Sequence, residues 1–223
     1  MKIAFCGTQN NGKTTLIENF KYNWPMYKSP EKSYREIIKE KNLSINKEAN
    51  VESQRIIRDA LLDQVLQSAG EKHVVFDRTI LDNVVYTFHG VEKGRIKDDD
   101  FISESIILCR ETMKMVDIVF WLPLNPDIIV MEPKENRDLD PDFREEIDII
   151  FQGVYDSYLN QDGILFDVEN QPPIILLEGD VQKKINTIAE YIGEDGEVID
   201  TQESVLTSLA DEYDKLELMK RLQ

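Results

Sequence analysis

Gly7-Thr8-Gln9-Asn10-Asn11-Gly12-Lys13-Thr14 is the stretch that decides the fold of this chain, and it fits the pattern G-x-x-x-x-G-K-[ST] without a mismatch. The two glycines permit a tight turn in which successive backbone N–H groups point into one concavity, and a following helix N-terminus adds positive potential there. We therefore expect a phosphate-binding loop. In such a loop Lys13 reaches the β- and γ-phosphates of a nucleotide, and the Thr14 hydroxyl ligates Mg²⁺.

The flanking residues predict the strand and the helix that such a loop requires. Residues 2–6 form a short apolar run typical of a buried strand, and residues 15–20 space their apolar side chains as the first turns of a helix do. The predicted nucleotide-binding residues are Gly7, Thr8, Gln9, Asn10, Asn11, Gly12, Lys13, Thr14 and Thr15.

Composition limits the possible classes of protein. The 223 residues predict one domain with a small appendage, and no apolar run approaches the roughly 20 residues that span a bilayer. The chain shows no signal-peptide pattern, and Cys6 and Cys109 lie in apolar segments without metal-ligand spacing, so we expect a reducing, cytoplasmic location without membrane contact. The net charge of −17 gives no general attraction to nucleic acid, so DNA binding would need a local basic patch.

Apolar runs alternate with helical patterns along the rest of the chain. Strands are predicted at residues 72–76, 117–122 and 174–177, with a short irregular strand at 22–29. Helices are predicted at residues 30–39, 52–69, 79–89, 98–115, 140–160 and 181–192. This order indicates an α/β fold with a parallel sheet covered by helices on both faces. In such a sheet the binding site lies at the carboxyl ends of the strands.

The last thirty residues differ in character from the rest. Gly193 to Gly196 predicts a break, which divides the chain into a domain at residues 1–193 and an acidic tail at 194–223. Apolar tail residues recur at three-and-four spacing: Leu206, Leu209, Tyr213 and Leu216. The spacing predicts an amphipathic helix, which either packs on its own domain or forms a homodimer contact.

Asp77-Arg78 follows the second predicted strand of the domain and faces the same crevice as Lys13. A carboxylate there can accept a proton from an attacking hydroxyl or hold Mg²⁺, and an adjacent arginine can bind a substrate phosphate. Alternatively, Asp77 only caps the next helix. Asp82 and Tyr86 fall four and eight residues beyond Arg78, on one helical face, where they contact an acceptor or simply face solvent.

A charged segment after the third predicted strand carries two arginines, Arg137 and Arg144. Phosphoryl transfer develops negative charge on the migrating group, and arginines on a closing loop can stabilise it. We therefore expect a lid at about residues 132–145; the alternative is a solvated loop with local ion pairs.

Other catalytic classes lack their motifs. His73 and His89 suggest no Ser-His-Asp arrangement and are expected to be structural, and no zinc-ligand spacing is present. The chain has neither the N-K-x-D element expected of a switch GTPase nor a strand that ends in the Asp-Glu pair of motor ATPases. A kinase that acts on a small molecule or a nucleic acid is the remaining interpretation.

The chain resembles the nicotinamide riboside kinase-like, AAA-type branch of P-loop kinases. The resemblance rests on the phosphate loop, on Glu31 with Tyr34-Arg35, on Gln54, and on residues 77–86, which follow the pattern DR(S/T)xxDxxxY. Within that branch it is most similar to bacteriophage 5-hydroxymethyluracil DNA kinases, which phosphorylate the hydroxymethyl group of the modified base in DNA. The similarity covers residues 1–192.

The resemblance implies ATP and Mg²⁺ at the phosphate loop, with Asp77 as the base and as a metal contact. It also implies that Arg137 and Arg144 act as lid arginines. The acceptor site would include Arg35, Gln54, Arg78, Asp82 and Tyr86.

Three functions stay open at this point: a kinase of a base in DNA in the host cytoplasm, a kinase of free nucleosides or nucleoside monophosphates, and a nucleotide-binding regulatory protein. A DNA acceptor would use a basic rim formed by Lys28, Lys32, Arg35, Lys39 and Lys41.

Overall fold

A parallel sheet of four strands forms the centre of the fold in the computed structural model, which describes residues 1–125 and 140–199. The strands are β1 (Lys2–Cys6), β2 (Val74–Asp77), β3 (Ile118–Trp121) and β4 (Ile174–Leu176). Their spatial order is β2-β1-β3-β4, and every neighbouring pair is parallel. The strands predicted at residues 72–76, 117–122 and 174–177 are confirmed, with ends that differ by one or two residues.

Helices connect the strands. They are α1 (Lys13–Asn23), α2 (Tyr34–Lys41), α3 (Val51–Gln67), α4 (Ile80–Glu92), α5 (Asp99–Met113), α6 (Pro141–Asn160) and α7 (Val181–Ala189), with a 3-10 turn at Asn46–Glu48.

Capping residues determine where several of these helices begin. Reciprocal capping bonds begin α2 at Ser33, α3 at Asn50 and α4 at Thr79. Asp140 caps α6, and Pro141 occupies its first helical position, as the sequence predicts.

The sheet separates two apolar layers because successive side chains of a strand point to opposite faces. On one face Ala4 and Cys6 of β1 pack with residues of α3, α4, α5 and α6. On the other face Ile3 and Phe5 pack with α1 and α7. This confirms the predicted α/β architecture, with a parallel sheet covered on both sides.

The prediction of an irregular strand at residues 22–29 is wrong for most of that segment. Helix α1 continues to Asn23, and only Lys28 forms an isolated parallel bridge, with Val74. The reason is aromatic packing: the rings of Trp24 and Tyr27 each lie 4.9 Å from the ring of Phe20, which holds the chain against α1.

The start of α2 is also later than predicted, at Tyr34 instead of residue 30. The Glu36 carboxylate accepts a hydrogen bond from the Ser33 backbone N–H at 2.7 Å, and the Ser33 hydroxyl accepts one from the Glu36 N–H at 3.3 Å. This capping box fixes the helix start, and Pro30 lies outside the helix.

Residues just beyond the predicted boundary at 193 pack on the domain. The Trp24 indole N–H donates to the Gly193 carbonyl at 2.8 Å, and the Tyr27 hydroxyl donates to the Gly196 carbonyl at 2.7 Å. The predicted tail helix and its dimer contact fall at residues 200–223, outside the described residues, so the division into two parts stays a prediction. No helix in the described ranges is long and apolar enough to cross a membrane.

The register of the sheet places the ends of three strands side by side. Phe5 pairs with both Asp77 and Phe120, and Cys6 pairs with Trp121. The phosphate loop, which follows Cys6, therefore emerges between Asp77 and the residues after β3. Gly7 has a φ of 134°, and a Cβ added there would lie 2.5 Å from the carbonyl oxygen of Leu122. The first glycine of the motif is thus required by the close approach of a neighbouring strand.

We predict that Gly7→Ala lowers the free energy of unfolding by about 3 kcal/mol or more, because the new methyl group meets a backbone oxygen and the φ is unfavourable. Gly12→Ala is the matched control: Gly12 also has a positive φ of 76°, but nothing lies within 4 Å of its added Cβ. That change should cost only about 1 kcal/mol. Urea unfolding of both variants measures the difference, and equal losses would contradict the packing argument.

Candidate functional site

A cavity of about 510 Å³ opens at the carboxyl ends of the strands. One side is the phosphate loop and the start of α1, and another is the end of β2 with Tyr86 of α4. The remaining wall comes from α2 and the segment after it. The lining residues are Gln9, Asn10, Asn11, Gly12, Lys13, Thr14, Thr15, Tyr34, Arg35, Ile38, Lys39, Ile45, Asn46, Asp77, Arg78 and Tyr86. A volume of this size suits a small organic ligand.

The phosphate loop is held by its own side chains. Lys13 is buried, and its Nζ donates to the carbonyl oxygens of Gly7 at 2.7 Å and Thr8 at 2.6 Å. The Asn11 amide donates to the carbonyls of Leu122 at 2.8 Å and Pro123 at 2.7 Å, which ties the loop to the segment after β3. The loop is therefore preorganised, with Lys13 beneath it at the start of α1.

Asp77 and Thr14 lie together on the cavity wall. The Thr14 hydroxyl donates to Asp77 Oδ2 at 3.5 Å, and Arg35 Nη2 of α2 donates to the Thr14 hydroxyl at 3.3 Å. One hydroxyl and one carboxylate are a fitting donor set for Mg²⁺, which takes few protein ligands and completes its shell with water and phosphate oxygens. The described residues contain no cluster of three or more His, Cys, Asp or Glu side chains that could hold another metal.

Arg78 lies beside Asp77, and most of its side chain is buried. Its guanidinium lies between two aromatic rings, 4.9 Å from the Tyr34 centroid and 5.2 Å from the Tyr86 centroid. It also donates to Asp82 Oδ1 at 3.2 Å and to the Tyr86 hydroxyl at 3.4 Å. Burial alone would lower the pKa of Arg78, but Tyr86, Asp82 and Tyr34 together raise it. Arg78 is a fixed cation on the cavity wall.

Two of the predicted acceptor residues do not line the cavity. Asp82 is buried beneath the phosphate loop, where it accepts from the backbone N–H groups of Gly7 at 3.3 Å and Thr79 at 3.1 Å. Burial raises the pKa of Asp82, against the opposing effect of Arg78 and Lys13. Gln54 is also buried, and its side-chain oxygen accepts from the Asn83 amide at 2.6 Å. Both residues therefore hold neighbouring segments in place by hydrogen bonds and do not themselves contact the cavity.

Tyr86 connects α4 to the phosphate loop. Its hydroxyl accepts from the Gln9 backbone N–H at 3.1 Å and donates to Gln9 Oε1 at 2.6 Å. The Gln9 side-chain nitrogen is buried without a hydrogen-bond partner among the described residues. The face of α4 that carries Asp82 and Tyr86 is therefore turned towards the loop: Asp82 is buried, which contradicts the solvent-facing alternative for this residue, and Tyr86 lines the cavity.

Of the two predicted lid arginines, Arg144 is described and Arg137 lies outside the described residues. Arg144 Nη2 donates to the Asn10 carbonyl at 3.3 Å, and the Thr8 hydroxyl donates to the Arg144 carbonyl at 3.4 Å. Its Nε is buried without a hydrogen-bond partner in residues 1–125 or 140–199, and burial lowers the pKa of the side chain. Arg144 thus contacts the phosphate loop from α6.

Four residues of the cavity wall were not predicted from the sequence to line it: Tyr34, Ile38, Ile45 and Asn46. Tyr34 was predicted only as a neighbour of Arg35 in the motif that carries the family resemblance. No function was predicted for Ile38, Ile45 or Asn46. Tyr34 and Ile38 are separated by one helical turn on a helix that is otherwise mostly polar. This narrow apolar stripe could have predicted from the sequence that α2 faces the cavity. Lys39, which was expected in a basic rim, lines the cavity as well.

The buried position of Lys13 lowers its pKa from 10.5 to about 7, mainly through loss of hydration and then through the nearby charge of Arg78. Above pH 7 the unfolded chain therefore binds one more proton at this position than the folded protein does. The free energy of unfolding should consequently rise with pH across the interval in which only the unfolded form keeps the proton.

We predict that raising the pH from 7 to 8.5 stabilises the wild-type protein by about 1–2 kcal/mol relative to Lys13→Met, which lacks the titrating amine. Urea unfolding of both proteins at several pH values tests this in the absence of nucleotide. Using the difference between the two proteins removes the contribution of groups that both contain. Parallel stability profiles would contradict a lowered pKa of Lys13.

Solved structures with a similar fold come from kinases and from NadR. Deoxyadenosine kinase from M. mycoides, with products dCMP and dCDP bound, superposes with a TM-score of 0.65 at 17% identity, over 85% of this chain and 97% of the other. Thymidylate kinase from Candida albicans gives a TM-score of 0.60 at 14% identity, over 89% and 94%. NadR in complex with NR gives 0.58 at 17% identity, over 86% of this chain and half of NadR.

These likenesses show that the chain has the P-loop kinase fold, as predicted from the loop and the alternation of strands and helices. A search among curated proteins gives no match. The family described as "AAA domain" matches residues 2–170, which include the whole phosphate loop, Asp77-Arg78 and Arg144. The chain therefore belongs to the AAA domain family.

Proposed function

We propose that the protein is an ATP-dependent phosphotransferase that moves the γ-phosphate to a hydroxyl group of a nucleoside, a nucleotide or a nucleobase. One observation carries the proposal: the Asp77 carboxylate lies within 3.5 Å of the Thr14 hydroxyl of the phosphate loop, and both line a cavity that continues to an aromatic and apolar wall. A phosphate donor, a base and an acceptor space are thus combined in one cavity, as phosphoryl transfer requires.

Each residue has a role that follows from its position. The loop N–H groups and Lys13 bind the phosphates, and Asp77 accepts the proton of the attacking hydroxyl. Thr14 and Asp77 would hold Mg²⁺, which when bound neutralises negative charge on the phosphate oxygens. Arg144, which contacts the Asn10 carbonyl, is on the phosphate side of the cavity and stabilises charge on the transferred group, together with Arg137 by our proposal.

A free nucleoside or nucleotide is the acceptor that the cavity favours. Tyr34, Ile38 and Ile45 present an aromatic ring and two aliphatic side chains to it, which together suit a flat base. Arg35, next to Tyr34, can bind a phosphate or a sugar hydroxyl. Two of the proteins with a similar fold are a deoxyadenosine kinase and a thymidylate kinase, that is, kinases of a nucleoside and of a nucleotide, and this supports the same acceptor class here.

The 5-hydroxymethyl group of a modified uracil in DNA is the second candidate acceptor, and such an enzyme would act in the cytoplasm of a phage-infected host. It is favoured by the resemblance of the chain to the phage kinases, to which the sequence of residues 136–148 contributes, and by Lys39 on the cavity wall beside Arg35. These two side chains extend from α2, the helix around which the basic rim was predicted. In this case one base would enter the cavity from a strand held outside it.

A panel of acceptors distinguishes the two candidates. Transfer of label from γ-labelled ATP is measured with nucleosides, nucleoside monophosphates, unmodified DNA and DNA that contains 5-hydroxymethyluracil. Transfer to free nucleosides or monophosphates, without transfer to DNA, supports the first candidate. Transfer confined to the modified DNA supports the second, and absence of transfer to every acceptor contradicts the proposed phosphotransferase.

We predict that Asp77→Asn lowers kcat by at least about 100-fold, because an amide cannot accept the proton of the attacking hydroxyl. ATP binding should change much less, since the loop N–H groups and Lys13 are intact. Transfer assays and calorimetric titration with ATP measure the two effects. Asp100→Asn on the exposed side of α5 is the control and should leave both unchanged. Full biological activity of Asp77→Asn without transferase activity would instead support a nucleotide-binding regulatory protein.

A further inference from the structure

His89 is a buried titratable residue that the proposed chemistry does not use. It lies near the end of α4, it is only 2% exposed, and it does not line the cavity. Both of its ring nitrogens are within hydrogen-bond distance of a charged side chain: Nδ1 is 2.7 Å from Arg95 Nη2, and Nε2 is 2.8 Å from Glu146 Oε2. The edge of its ring meets Phe143 at a centroid distance of 4.8 Å.

The partners determine the tautomer of His89. A guanidinium group can only donate hydrogen bonds, so Nδ1 must accept the bond from Arg95 and carries no hydrogen. Nε2 therefore carries the ring hydrogen and donates it to the Glu146 carboxylate. The imidazole thus joins a cation on one side to an anion on the other, and each bond requires a different nitrogen.

Arg95 connects His89 to one wall of the cavity. Its Nη1 donates to the carbonyl oxygens of Asn46 at 3.0 Å and Lys47 at 2.5 Å. These residues belong to the segment 45–48, which we call the acceptor-wall loop because Ile45 and Asn46 line the cavity. Lys47 of this loop also forms an ion pair with Asp140, the residue that caps α6.

Glu146 connects His89 to the phosphate side of the cavity. It lies on α6, two residues after Arg144, whose side chain donates to the Asn10 carbonyl at 3.3 Å. The second oxygen of the Glu146 carboxylate pairs with Lys93 at 2.5 Å, so the carboxylate is fixed from two sides. The side chains of Lys93 and Glu146 are each about two-fifths exposed, whereas the side chain of His89 is buried.

From these contacts we propose that His89 is a positioning residue that couples the acceptor-wall loop to helix α6. The inference rests on the proposed function and deepens it. Through Arg95, His89 fixes the wall against which the acceptor packs. Through Glu146, it fixes the helix that carries Arg144 to the phosphate loop. A shift of about 1 Å in either element can change the rate of transfer by as much as about 100-fold.

Two substitutions separate the halves of this connection. In His89→Asn the amide oxygen takes the place of Nδ1 and can accept from Arg95, whereas the bond to Glu146 is lost. In His89→Gln the amide nitrogen reaches the place of Nε2 and can donate to Glu146, whereas the bond to Arg95 is lost. We expect His89→Gln to raise the KM of the acceptor about five- to tenfold with kcat within twofold. His89→Asn should lower kcat about fivefold with the acceptor KM within twofold.

Arg55→Ala is the matched control. Arg55 of α3 pairs with Asp98 and Glu104 at the start of α5, and none of the three lines the cavity, so its removal deletes a partly exposed ion-pair network away from the cavity wall. It should lower the melting temperature without changing either kinetic constant. If a His89 variant does not fold, Arg95→Met and Glu146→Ala remove the same two bonds from the outer partners, because methionine cannot donate to Nδ1 and alanine cannot accept from Nε2. These should reproduce the KM effect and the kcat effect, respectively.

Equal changes of KM and kcat in the two His89 variants, or lower melting temperatures with unchanged kinetics, would overturn the proposal. Amide hydrogen exchange supplies a readout that does not depend on activity. The N–H groups of Glu48 and Ala49 donate to Ile45 and Asn46 within the acceptor-wall loop. They should exchange faster in His89→Gln than in His89→Asn, and equal exchange would contradict the coupling. If the wild-type protein transfers no phosphate, the proposed function fails and this measurement still tests the role of His89.

Discussion

The buried carboxylate of Asp82 joins the parts of the molecule on which the site depends. It accepts from the first N–H of the phosphate loop, from the N–H of the residue that caps α4, and from the guanidinium of Arg78. A buried carboxylate is stable only when its oxygens are satisfied in this way, so the loop, the helix and the arginine must be correctly placed together. The donor side and the acceptor side of the cavity therefore share one anchor.

Asp82 also explains how two buried cations coexist beside each other. Burial is the main cause that lowers the pKa of Lys13, and the charge of Arg78 lowers it further. Asp82 and Asp77 oppose that decrease, and Arg78 gains additional stabilisation from the faces of Tyr34 and Tyr86. Since Tyr34 belongs to α2, the same stacking that holds Arg78 also holds α2 against the end of β2. A bound phosphate chain would add further negative charge beside Lys13 and so favour its protonated form.

Features that depend on residues close together in the chain could be predicted from the sequence. Features that depend on partners far away in the chain could not. The phosphate loop, the Asp140-Pro141 helix start and the position of Asp77 at a strand end follow from residues a few positions apart, and the structure confirms them. Asp82 and Tyr86 share the predicted helical face, but only the tertiary fold shows that Asp82 turns beneath the loop. Asn46 and His89 carried no local signal at all. Their roles arise from Arg95 and Glu146, which lie 49 and 57 residues from them along the chain.

The charge distribution bears on the acceptor more directly than any motif does. Among the described residues, the cavity is lined by the basic side chains of Lys13, Arg35, Lys39 and Arg78 and by one carboxylate, that of Asp77, although the chain as a whole carries a net charge of −17. Positive potential is therefore concentrated inside a cleft, where low-dielectric walls strengthen it, whereas the net charge of the whole chain opposes the approach of polyanions. A small anionic substrate can lie entirely within the favourable region. A DNA duplex extends beyond the cleft and is also repelled by the net negative charge of the chain, at a cost that salt screening reduces but does not remove. On electrostatic grounds the fold accommodates a free nucleotide more readily than a polynucleotide.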